Sequence, residues 1–117
     1  LASESFYIPF NLGRPVNICV IGCGAIGTTI ARAVESEADI QIIYLTDRSK
    51  ECATRLQEKV PKVHYVADIV PILNDVRLVV EAASQEAARY YAPLALSAGV
   101  NVLIMSVGVF QDEGFQN

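Results

Sequence analysis

The sequence predicts an α/β domain: a doubly wound parallel sheet of about five strands with helices on both faces. Three observations predict it. Short β-branched runs alternate with segments of helical period along residues 16–105. The runs are apolar at most positions, as strands covered on both faces must be. The first run leads into Gly22-Cys23-Gly24-Ala25-Ile26-Gly27, a glycine turn placed to open a helix.

Each element follows in order. Val16–Ile21 reads as the first strand. Ile26, Ile30, Ala33 and Val34 recur at i, i+4, i+7 and i+8, which predicts the apolar face of a first helix. Ile40–Leu45 is the second strand. Ser49 can cap a second helix whose apolar face holds Cys52, Ala53 and Leu56, and Pro61 stops it. Val63–Ala67 is a short third strand, Ile69–Asn74 one helical turn, and Leu78–Ala83 the fourth strand. Ser84 is placed to cap a third helix with Ala88, Tyr91, Ala92 and Ala95 on one face; Gly99 ends it. Asn101–Met105 is the fifth strand. Right-handed crossovers between parallel strands leave the doubly wound arrangement as the favoured topology.

The chain's 117 residues are one domain's worth, and 52% hydrophobic against 19% charged residues marks it as globular. A net charge of −4 and a pI near 4.8 lack the basic stripe that nucleic acid or an anionic membrane would require. No apolar stretch is long enough to span a bilayer. An anionic cofactor remains compatible, because backbone N–H groups hold phosphate without Lys or Arg. Three cysteines, Cys19, Cys23 and Cys52, with no Cys-x-x-Cys spacing, suggest neither a disulfide framework nor a metal site. They point to a reducing cytoplasm. Residues 1–15 show no clear period; a packing arm, a partner contact and a non-native leader all fit them. The domain reads as 16–108, with 109–117 a tail or linker.

The glycine turn carries the chemistry. Gly22 permits the tight turn, Gly24 lets a pyrophosphate approach the backbone, and Gly27 lets the helix pack on the strand. Ala25 and Ile26 supply N–H donors or pack beside the phosphates at the positive end of the helix. Asp47 follows about 20 residues past Gly27, where the dinucleotide fingerprint expects a carboxylate for the adenosine ribose. That carboxylate favours NAD. Arg48 beside it leaves NADP open, since a guanidinium pairs with phosphate.

Other residues are weaker candidates. His64, the single histidine, sits on the third strand, away from the nicotinamide end of such a sheet. Cys23 reads as a small residue tolerated in the turn, Cys19 as a buried strand residue and Cys52 as a helix-face residue. Tyr90 and Tyr91 read as packing or surface residues. Glu81 interrupts an apolar strand near its C-terminal end. A carboxylate there must be paired or face the ligand crevice, so a role near the nicotinamide and a structural hydrogen bond both fit.

The segment Val79-Val80-Glu81-Ala82-Ala83-Ser84-Gln85-Glu86-Ala87, then Tyr91-Ala92-Pro93 and Met105-Ser106-Val107-Gly108, resembles the L-aspartate dehydrogenase family over roughly residues 16–109. The resemblance implies oxidation of L-aspartate at its amine-bearing carbon, with hydride passed to NAD or NADP and iminoaspartate formed for NAD biosynthesis. It implies that Gly22, Gly24, Ala25, Ile26 and Gly27 line the pyrophosphate, and Asp47 and Arg48 the adenosine ribose. Ala82, Ala83 and Ser84 would line the nicotinamide side, with Ser106 and Gly108 close by. Family members also carry a second domain with the substrate pocket and a histidine, and His64 does not match that motif. No catalytic residue is therefore assigned, and the chain is expected to bind cofactor without turning over a small-molecule substrate. A homoserine-dehydrogenase-like or sugar-type oxidoreductase, or a free-standing NAD-sensing module, would share this first domain. The crevice left open predicts a tendency to form homo-oligomers.

Overall fold

Val16–Ile21 forms β1 at the centre of a five-stranded parallel sheet in a computed structural model that describes residues 15–106. The remaining elements are α1 (Ala25–Glu35), β2 (Ile40–Thr46), α2 (Lys50–Lys59), β3 (Val63–Tyr65), a 3-10 helix (Val70–Asp75), β4 (Leu78–Glu81), α3 (Gln85–Ser97) and β5 (Asn101–Ile104). The strand order is β3-β2-β1-β4-β5. The chain moves outward from β1 to β3, crosses back, and builds β4 and β5 on the other side of β1. The direction of winding thus reverses between β1 and β4, and a crevice opens beyond their C-terminal ends.

Alternation along β1 divides the core between the two sheet faces. Ile18 and Val20 pack with Ala31 of α1 and Ala53 and Leu56 of α2. Cys19 and Ile21 pack with Leu73, Val79 and Ala95 on the opposite face. Ser49 and Ser84 cap α2 and α3 through their side chains, accepting from the backbone N–H of Cys52 and Ala87. Each such cap contributes about 1 kcal/mol. Gly99 takes φ 78° just past α3, the left-handed conformation that closes a helix.

Several expected boundaries and faces shift for identifiable reasons. The buried side of α1 runs through Gly27 and Ala31, while Ile26 and Ala33 are exposed. The two small residues let the helix axis approach the sheet, while Ile30 and Val34 of the expected stripe stay partly buried against the core. β4 ends at Glu81 instead of Ala83, because the N–H groups of Ala83 and Ser84 turn back to the Glu81 carboxylate. β3 is three residues long and stops at Tyr65. Residues 1–14 and 107–117 lie outside the described region, and with them the N-terminal segment, Gly108 and the tail. No helix among the described residues is long and apolar enough to cross a membrane.

Candidate functional site

Gly22 ends β1 with φ 110°, and a Cβ there would come within 2.9 Å of the Ala82 carbonyl oxygen. Both the backbone conformation and the closeness of β4 demand glycine. At Gly27 a Cβ would run into the carbonyl of Gly22, so α1 sits directly against the turn. Gly24 is different. It is exposed, and a Cβ there would meet nothing within 4 Å. It is the N-cap of α1 and supplies no side-chain cap, and no acidic residue occupies the helix's first turn. Among the described residues α1 is therefore the one α-helix without a side-chain cap, and its first-turn N–H groups are left for an incoming acceptor.

This uncapped end opens on a cleft of about 710 Å³ at the C-terminal ends of β1, β2 and β4. Gly22 and Gly24 line its base, Asp47 and Arg48 one wall, and Ala82, Ala83 and Ser84 the other. Asp47 organises the first wall. Its Oδ2 accepts from the Cys23 N–H at 2.8 Å and its Oδ1 from the Ser49 N–H at 2.7 Å. One side chain thereby fixes the glycine turn relative to the β2–α2 loop, and each oxygen keeps a lone pair for a ribose hydroxyl.

Glu81 organises the second wall from beneath. It is fully buried. Its Oε2 accepts from the N–H of Ala83 at 2.8 Å, the N–H of Ser84 at 2.7 Å and the Ser106 hydroxyl at 2.8 Å. Three donors converging on one oxygen offset part of the cost of burying this polar side chain. Glu81 thus acts through the loop that lines the cleft. Its Oε1 has no partner among the described residues.

Not every expected residue reaches the cleft. Ala25 and Ile26 sit exposed at the start of α1, Gly27 is buried under the turn, and Ser106 is held at Glu81 behind the wall. His64 is exposed on β3 at the sheet edge and takes no part in the cleft. Conversely, Glu86, Ala87, Tyr90 and Tyr91 do line it. The two tyrosine rings meet edge to face at 4.8 Å. Burial raises the Tyr91 phenol above its usual range, so its hydroxyl stays protonated at neutral pH. The i, i+4 spacing of Glu86 with Tyr90 and of Ala87 with Tyr91 was the available signal, since Ala88, Ala92 and Ala95 claim the buried side of α3.

Two expectations about cysteine are corrected. Cys23 and Cys52 form a disulfide between the glycine turn and the first turn of α2. Spacing rules do not find the pair, because its partners are 29 residues apart and meet only through the β-α-β-α winding. Cys23 is therefore buried and constrained, and not merely tolerated in the turn. The cysteine pattern no longer argues for a reducing compartment. Cys19 is the buried free thiol, pushed up to about 12 by burial. No cluster of potential metal ligands occurs among the described residues.

The strand order, the glycine turn at the reversal point and the acid after β2 define a dinucleotide-binding domain of the dehydrogenase type. The chain belongs to the family described as homoserine dehydrogenase, NAD binding domain, whose model matches residues 22–117. Its similarity to the L-aspartate dehydrogenase of Methanosarcina mazei is 41% identity over 101 residues, covering 84% of this chain and 37% of that protein. The L-aspartate dehydrogenase of Methanothermobacter thermautotrophicus is 39% identical over 94 residues, covering 80% of this chain and 36% of that protein. Among solved structures, aspartate dehydrogenase from Thermotoga maritima is similar with a TM-score of 0.65 and 33% identity, over 86% of this chain and 38% of that one. A myo-inositol dehydrogenase from Corynebacterium glutamicum shares the fold, with a TM-score of 0.68 at 22% identity over 77% of this chain and 27% of that one. The chain spans about 37% of the length of the first curated relatives it matches.

Proposed function

We propose that this chain is the cofactor-binding part of an L-aspartate dehydrogenase and holds NAD across the crevice between β1 and β4. The observation that carries this reading is Gly24: an open, side-chain-free N-cap on an uncapped helix, facing a cleft walled by Asp47. The residues fit the cofactor. The turn from Gly22 to Gly27 would hold the pyrophosphate, with the backbone N–H groups of Ala25 and Ile26 offered beside the cleft from the exposed start of α1. Asp47 takes the adenosine ribose hydroxyls, with Arg48 beside it. Ala82, Ala83 and Ser84 support the nicotinamide half, and Ser106 and Glu81 hold that wall in place.

NAD bound here would supply the hydride acceptor for oxidation at the amine-bearing carbon of aspartate. This chain's share is binding, orientation and the field of the α1 N-terminus. The substrate pocket belongs to the part of the longer protein that the chain does not span. Leu103 and Met105, exposed at the edge strand β5 and just past it, are placed to be covered by that part or by a second copy.

The test is a substrate comparison on the polypeptide extended along its natural reading frame. NADH formation is followed with L-aspartate, L-homoserine and myo-inositol in turn. Reduction of NAD with L-aspartate supports the proposal; reduction with either of the others and none with L-aspartate overturns it.

A further inference from the structure

Arg48 follows Asp47 on one wall of the cleft, and Glu86 stands on the opposite wall in the first turn of α3. The Arg48 Nη2 donates to the Glu86 Oε1 at 2.6 Å, so the pair bridges the cleft. Both side chains are largely exposed, at 83% and 78%, so the pair is free to exchange partners when a ligand arrives.

NAD and NADP differ by one phosphate on the adenosine ribose. On the cofactor reading above, that ribose sits at Asp47, and Arg48 is the adjacent cation. A guanidinium donates to a phosphate and to a carboxylate through the same fork of N–H groups. The extra phosphate of NADP competes with Glu86 for the Arg48 Nη2, whereas NAD brings no such group to the pair.

We infer that Glu86 is a specificity-determining residue, which biases the cleft toward NAD by occupying Arg48. The inference rests on the proposed cofactor site. An exposed ion pair is weak, so the bias is a matter of a few-fold and not of orders of magnitude. Glu86 lies on a different element from Asp47 and Arg48, 38 residues beyond the arginine, so inspection of the β2 terminus alone does not find it.

NADH and NADPH are titrated against the chain, Glu86→Gln, Arg48→Ala and the double variant, following nicotinamide fluorescence. The inference expects Glu86→Gln to raise the affinity for NADPH relative to NADH about fivefold, and expects no such gain when Arg48 is already alanine. An unchanged ratio in Glu86→Gln overturns it. A gain that persists in the Arg48→Ala background also overturns it, because Glu86 would then act by direct repulsion of the phosphate. If the unaltered chain binds neither nucleotide, the cofactor reading and this inference fall together. Binding of NADH with an unchanged ratio removes only the role of Glu86.

Discussion

Ser106 donates its hydroxyl to the Oε2 of Glu81 at 2.8 Å, which ties the segment leaving β5 to a fully buried carboxylate at the end of β4. The same oxygen receives the Ala83 and Ser84 N–H groups that shape one wall of the cleft. Glu81→Ala leaves three donors without their acceptor and is expected to lower stability by about 3 kcal/mol. Glu81→Gln keeps an acceptor oxygen and is expected to lose about half as much. Urea unfolding of the two variants beside the parent chain measures this. Equal stability of all three would show that Glu81 does not hold the wall.

Two glycines of the turn, Gly24 and Gly27, separate binding from structure. Gly27→Ala drives a methyl into the Gly22 carbonyl and should cost about 2 kcal/mol by overpacking. Gly24→Ala meets open space, and should cost under about 1 kcal/mol as a poorer N-cap. It should nonetheless weaken NADH binding at least about tenfold, because the methyl occupies the approach of the pyrophosphate. Thermal unfolding and fluorescence titration of each variant give the two numbers. A Gly24→Ala chain that binds as the parent does would remove the phosphate from this turn.

Much of this fold is legible in the sequence because local and tertiary demands agree. The β1 bounds follow from a mostly apolar, β-branched run ending at glycine, and the caps of α2 and α3 from single serines. The face of α1 is legible in part. Ile30 and Val34 pack against the core as their spacing predicts, but Ile26 and Ala33 are exposed, and the closest contact with the sheet is set by where no side chain stands, at Gly27, and by the small Ala31. The cleft is legible on the side the glycine fingerprint describes. Its other side is assembled from α3, whose Glu86, Tyr90 and Tyr91 reach the cleft through the β4 crossover, beyond the reach of spacing rules. Glu81 is conspicuous as an acid in an apolar strand, but only the three donors converging on one oxygen separate a support for the wall from a group facing the ligand.

The cysteines should divide into a bridged pair and a silent thiol. The native chain is expected to lose no thiol to an alkylating agent at pH 8, because Cys23 and Cys52 are bridged and Cys19 is buried and protonated. Unfolding without a reductant should release one thiol, and unfolding with one should release three. Reducing the bridge should cost about 3 to 4 kcal/mol through the loop it closes. Cys19 adds a pH dependence. Its folded value is raised from 9.0 to about 12, so its contribution to stability is full below pH 9.0 and declines as pH rises through that interval. Mass spectrometry after alkylation and unfolding curves across that range test both statements. Rapid labelling of Cys19 in the native chain would contradict its burial.

The most direct test of the central claim is a titration of this chain with NADH, following nicotinamide fluorescence, with Gly24→Ala beside it at matched stability. The account predicts saturable binding by the chain, and binding at least about tenfold weaker in the variant. No saturable binding by the unaltered, folded chain would contradict it, and would reduce the glycine turn to a device for packing α1 on β1.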